Sequence, residues 1–153
     1  MTLQTRVIGI GNPLMGDDGL GISAIEELQK QPLPASVELI DGGCGGLSLL
    51  PLFANCRQVL IIDAADFTAA PGDLRILHNA DLALLPKPTK LANGHLFSLP
   101  EILQIAAKLQ PLPPLTLYLV QVATCHSGIG LSLAVKAAIP SLVKQILKTL
   151  RNS

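Results

Sequence analysis

The sequence predicts an α/β fold: one domain over residues 1–153, built as a three-layer sandwich with a mostly parallel sheet between helices on both faces. Three observations carry this. Short β-branched runs end in glycine-rich turns and are followed by apolar residues at helical spacing, near the start of the chain and again from residue 37. The run "RQVLIIDAADF" is apolar without alternation, as expected of a strand covered on both faces. A chain of 153 residues, 49% of them hydrophobic and with no long polar tract, can bury one core and offers no linker at which to divide.

Taken in order, Arg6 to Ile10 reads as the first strand. "DGLGISAIEELQKQ" then places Leu20, Ala24, Ile25 and Leu28 on one face of a helix. "SVELIDGG" gives a second strand, Val37 to Ile40, stopping at Asp41-Gly42-Gly43. "LSLLPLFAN" reads as an apolar helix interrupted or kinked by Pro51. Val59 to Ile62 is the expected central strand. The Pro71-Gly72 turn leaves a connection too brief for a crossover helix, so a strand at Leu74 to Leu77 is expected to run antiparallel to its neighbour. Residues 79–97 contain prolines and asparagines with little periodicity and read as a long loop. "SLPE" starts a helix, with Ser98 as N-cap, Glu101 at the capping-box position, and Leu99, Ile102, Leu103 and Ala106 on one face. "PLPP" separates it from a last strand, Thr116 to Val122. The closing helix, "GLSLAVKAAIPSLVKQILKTL", should kink at Pro140 and carries Lys144, Lys148 and Arg151 near its end, where cations suit the helix dipole.

Eleven basic residues balance eleven acidic ones, so no overall field recruits nucleic acid or an anionic membrane. No apolar stretch reaches the roughly 18 residues of a membrane span, and no signal-type segment opens the chain. The expectation is a soluble cytoplasmic protein. Cys44, Cys56 and Cys125 form no CxxC pair and suit a reducing compartment; Cys56 reads as a buried small hydrophobe.

Function is pointed to by where the acids fall. Asp17, Asp18, Asp41, Asp63 and Asp66 lie within a few residues of the carboxyl end of one of the first three strands. In open α/β sheets ligands sit outside those ends. If the strands are neighbours, the carboxylates share one crevice, and like charges cluster there only with compensation from a cation, a proton or helix amino termini. The turn "GIGNPLMGDDGLG" resembles a phosphate cradle, but Leu14 replaces the third glycine of a dinucleotide fingerprint, Pro13 removes a donor, and no Gly-Lys-Ser/Thr closes a P-loop. Helix capping accounts for Asp17 and leaves Asp18 in need of a second reason; Asp63 could cap a turn. Of the histidines, His78 reads as a surface residue, His126 as a loop residue, and His95, before the capped helix, as a candidate ligand. Two carboxylates and an imidazole make a set suited to a borderline divalent metal such as nickel or zinc, with coordination positions left open.

"GIGNPLMGDDGLG", "ELIDGGCGG", "LIIDAADF", the "APG" turn and a histidine before a helix, in that order, resemble the hydrogenase maturation proteases, over nearly the whole chain. The resemblance implies a twisted five-stranded sheet between helices. It also implies a metal site made by Asp18, Asp63 and His95, with Asp41 as orienter or general base. The implied activity is an endopeptidase that reads nickel already held by a [NiFe] hydrogenase large-subunit precursor and removes the precursor's carboxyl-terminal extension. Asp18 stands where the family has Glu or Asp, and Cys44 where threonine is common. A non-catalytic nickel- or nucleotide-binding module, and an unrelated hydrolase on a similar scaffold, are the alternatives.

Overall fold

The computed structural model describes residues 3–79, 81, 98–123 and 128–153. Five strands form one sheet in the order β2-β1-β3-β5-β4: β1 is Thr5–Gly9, β2 Val37–Asp41, β3 Gln58–Ala65, β4 Leu74–His78 and β5 Leu115–Gln121. β1 pairs in parallel with β2 and β3, and β3 in parallel with β5; β4 is the antiparallel edge. The helices are α1, Leu20–Gln29, α2, Leu99–Leu109, and α3, Leu133–Arg151, with 3₁₀ helices at Gly16–Gly19 and Gly46–Phe53.

Period two along the strands divides the core into two layers. Val7, Leu60, Ile62, Tyr118 and Val120 face α1 and α3, meeting Leu20, Ala24, Ile25 and Leu28 of α1 and Leu142, Val143 and Ile146 of α3. Ile8, Val59, Ile61, Leu117 and Leu119 face the other way, onto Leu49, Phe53, Ile102, Leu103 and Ala106. The expected central strand is central, and β5 is buried at every position. α2 starts as expected, with the Ser98 hydroxyl accepting the Glu101 N–H.

The structure departs from the sequence expectations at several elements. β3 continues to Ala65, so Asp63 lies inside the strand, in register with Leu119. The segment around Pro51 is a 3₁₀ helix, since proline withdraws one amide donor from an already short helix. α3 holds Pro140 inside one continuous helix, as the expectation of a kinked but unbroken helix allows. β4 is antiparallel as expected, but its partner is β5, not the preceding strand. Its connection must therefore cross the carboxyl end of β5, and Gln121, a polar side chain inside a buried strand, holds it there. The Gln121 Oε1 accepts the N–H groups of Phe67 and Ala69 (2.8 and 3.2 Å), its Nε2 donates to the Asp66 carboxylate, and its backbone carbonyl accepts the Gly72 N–H. Of the expected loop over residues 79–97, only Asn79 and Asp81 are among the described residues.

The strand order locates the crevice. From β1 the chain crosses to β2 on one side and then passes back over β1 to β3 on the other. The connections diverge at the β1/β3 carboxyl ends, the switch point at which doubly wound sheets bind ligands. Here α1 approaches the sheet backbone closely. A Cβ at Gly21 would land on the backbone of Ile10 and on the Ile62 carbonyl. Gly21→Ala gains about 1 kcal/mol of helix propensity, yet the overlap is with rigid backbone and costs about 3 kcal/mol. The substitution should therefore lower the urea midpoint, by a net loss of about 2 kcal/mol in equilibrium unfolding.

Candidate functional site

The turn between β1 and α1 keeps its amides for the protein. Ile10 N–H donates to Ile62 O, Gly11 to Gly43 O and Gly16 to Gly128 O, at 2.8–2.9 Å. Asn12 N–H donates to the Asp18 carboxylate (2.9 Å), Leu14 N–H to the Asn12 side chain (3.0 Å), and Met15 N–H to the Asn12 carbonyl (3.0 Å). Pro13 has no amide hydrogen. A phosphate cradle needs several such donors converging on an anion; here those of the turn are spent on carbonyls, an amide and a carboxylate.

The two adjacent aspartates sit in the 3₁₀ helix Gly16–Gly19. Neighbouring side chains in such a helix point roughly 120° apart, and the two go different ways. Asp17 is fully buried. It caps neither its own 3₁₀ helix nor α1. Instead its carboxylate accepts the N–H of Ala123 (2.8 Å), just after β5, and both the N–H and the hydroxyl of Ser132 (2.7 and 2.9 Å), the N-cap residue of α3. It is a clasp between the turn after β1 and the chain on either side of residues 124–127. Sequence reasoning missed this role because the partners lie more than a hundred positions away.

Asp18 is partly exposed and faces Asp63 electrostatically. Burial first, and the Asp18 carboxylate second, push the Asp63 carboxyl well above the usual range, against a smaller opposing effect of the Ala64 N–H. Of the two ion pairs among the described residues, Arg6 with Glu38 and Lys30 with Glu27, neither touches this pair of acids. Neighbouring like charges are relieved by a proton, a cation or hydrogen-bond donors. Among the described residues no set of three acid, histidine or cysteine side chains stands close enough to hold a metal. His95 lies outside the described residues, as do His126 and Cys125. By period two, Asp63 shares the sheet face of Val59 and Ile61, which α2 covers. The first residue of α2, Leu99, follows His95 by four positions in the chain.

Asp41 lies exposed at the end of β2, in register with Gly9, and its carboxylate accepts the Gly43 N–H (2.8 Å) in a tight turn. Asp66 serves the Gln121 crossing, where the Thr68 N–H and the Gln121 amide hold its carboxyl below the usual range. Cys44 is exposed and free, close to Asp41 in sequence; Cys56 is buried, and burial pushes its thiol up. His78 is exposed, as expected, with Nδ1 3.3 Å from the Thr116 hydroxyl.

The raised Asp63 carboxyl has a consequence for stability. The native state holds its proton more tightly than the unfolded chain does, so this group favours folding below the ordinary carboxylate value and loses that contribution as pH rises through the raised one. Asp63→Asn, neutral at every pH, should melt higher than the wild type at about pH 7, with the gap closing as pH falls toward about 4. Thermal melts across that range check the sign.

A family model for hydrogenase maturation proteases matches residues 22–149. The hydrogenase 2 maturation protease of Escherichia coli (strain K12) is 34% identical over 154 residues, covering 99% of this chain and 93% of that protein. The hydrogenase expression/formation protein HupD of Rhodobacter capsulatus is 40% identical over a shorter match, 52% of this chain and 38% of that one. Among solved structures, the E. coli hydrogenase maturating endopeptidase HybD superposes with a TM-score of 0.84 at 32% identity, over 98% of this chain and 93% of that chain. With the sheet order and these matches in agreement, the chain belongs to the hydrogenase maturation protease family.

Proposed function

We propose that this protein is an endopeptidase that removes the carboxyl-terminal extension of a [NiFe] hydrogenase large-subunit precursor once nickel has been inserted. On this reading Asp18, Asp63 and His95 recognise the nickel that the substrate carries. The observation that carries the proposal is the coupled Asp18 and Asp63 pair at the β1/β3 switch point, where Asp63 is pushed toward its protonated form and no cation among the described residues compensates either acid. A nickel centre presented by the substrate supplies that charge, and its Lewis acidity can polarise a carbonyl beside it.

The residues divide the work. Asp18 is oriented by the Asn12 N–H, so one oxygen of its carboxylate is fixed before substrate arrives. Asp63, whose ionised form is disfavoured by burial and by the Asp18 charge, gains from a cation placed beside it. His95 supplies the nitrogen donor that suits nickel better than a third carboxylate. Asp41, exposed on the other side of β1, orients or deprotonates the attacking water. Among the described residues no helix is long and apolar enough to cross a membrane. The alternative of a nucleotide-binding module is disfavoured by the turn itself, whose amides are already engaged.

Purified large-subunit precursors, each with and without nickel, should be incubated with the protein and read by mass spectrometry. Loss of a carboxyl-terminal peptide from one nickel-loaded precursor, and not from its nickel-free form, is the expected result. His95→Ala should abolish that cleavage without lowering the melting temperature. Equal cleavage of both forms would remove the nickel gate, and full activity of His95→Ala would remove the ligand assignment.

A further inference from the structure

The main-chain bonds of β2 fix which of its residues face the sheet. Thr5 N–H donates to the Ser36 carbonyl and Gly42 N–H to the Gly9 carbonyl, both at 2.8 Å, at the two ends of the register that pairs Val37 with Thr5 and Asp41 with Gly9. In a strand both polar main-chain groups of a residue point to one side, and successive residues alternate. Ser36, Glu38, Ile40 and Gly42 therefore turn toward β1. Val37, Leu39 and Asp41 turn outward, from the edge of the sheet. The Val37 N–H is spent on the Pro34 carbonyl at 3.0 Å. Among the described residues no bond takes the N–H of Leu39 or Asp41, or the carbonyls of Val37, Leu39 and Asp41.

Such a row is complementary to the main chain of another extended segment. Three features distinguish this edge. Asp41 is in register with Gly9, after which the chain enters the turn that carries Asp18, so the strand ends at the acid crevice. β4, at the other edge, runs antiparallel to its neighbour, and its carboxyl end points away from the crevice. Beyond Asp41 the main chain stays open: Gly43 has a left-handed φ of 57°, and among the described residues a Cβ there would meet nothing within 4 Å. Glu38, the other acid of β2, is paired with Arg6 at 3.1 Å and offers an incoming chain little repulsion.

We infer that the outward edge of β2 is a peptide-binding site, at which an extended segment of the precursor beside the bond to be cut joins the sheet through Leu39 and Asp41. The inference rests on the protease reading above and adds how the chain to be cut is held. Main-chain bonds require an extended conformation of that segment and no particular side chains. A second copy of the protein, pairing β2 with β2, is the rival occupant.

Hydrogen exchange of the wild-type protein, read residue by residue by mass spectrometry with electron-transfer fragmentation, tests the edge. The nickel-loaded precursor is the ligand, and interferometry follows its binding independently. The amides of Leu39 and Asp41 should exchange rapidly in the free protein and at least about tenfold more slowly with precursor bound. Those of Glu38 and Ile40, already bonded to β1, should be unchanged. Leu39→Pro deletes an outward donor and no bond to β1, a change that edge strands tolerate. Because Leu39 also packs on the core, Leu39→Ala is its control. The proline variant should bind precursor about tenfold more weakly than that control. Unaltered exchange at Leu39 and Asp41 in a complex that interferometry shows to have formed would overturn the inference. Slowing that needs only a higher concentration of the protein itself would overturn it too, since a second copy would then occupy the edge. A precursor that slows both amides and is not cut would sink the protease reading and support the peptide site.

Discussion

The site depends on how one short turn disposes of its polar groups. A glycine-rich connection from strand to helix leaves amide hydrogens that usually await an anion. In this chain those of Ile10, Gly11, Asn12, Leu14, Met15 and Gly16 are satisfied by the protein, one of them by the Asp18 carboxylate. That inversion lets acids occupy the place where a phosphate would otherwise sit. It also explains why two adjacent aspartates are not redundant: the tight 3₁₀ turn throws them in different directions, one into a buried clasp and one toward Asp63.

The sheet supplies the rest of the geometry. Because β1 lies between β2 and β3, the carboxyl ends bearing Asp41 and Asp63 flank the turn that bears Asp18. The close approach of α1 through Gly21 brings that turn down onto the strand ends. Gln121 does for β4 what Asp17 does for α3: one polar group, buried and fully engaged, fixes the course of a loop over the end of β5. Both examples show polar side chains setting the positions of connections, while the apolar layers set only the packing of elements.

Much of this was legible in the sequence because it rests on local chemistry. The order of element types along the chain, the apolar face of α1, the Ser98 cap and the unalternating run of β3 follow from periodicity and capping alone, while the end of β3 does not. What was not legible depends on distant partners. The pairing of β4 with β5 requires knowing that β5 inserts beside β3, and nothing between Asp66 and Leu74 reveals it. The Asp17 clasp needs Ser132, and capping was the nearer explanation for an acid at a helix start. A glutamine in an otherwise apolar strand was the one available signal for the crossing, since a buried amide requires partners. Asp41 illustrates a milder limit: its position at the end of β2 was foreseen, while its exposure and its own turn with Gly43 set it apart from Asp18, the acid that shifts Asp63.

The electrostatics of the pair bear on how such a site would choose among metals and carriers. Each unit by which burial and Asp18 raise the Asp63 carboxyl is a penalty of about 1.4 kcal/mol on the ionised form that a cation must offset. A free ion offered two carboxylates and one imidazole must meet that penalty while also losing part of its hydration shell. A metal already dehydrated and bound within a protein has lost that shell beforehand, and contacts made elsewhere on the carrier can contribute to the remainder. On the proposed reading, the cost of ionising Asp63 beside Asp18 makes a bare ion a poor ligand and favours one delivered by a protein carrier.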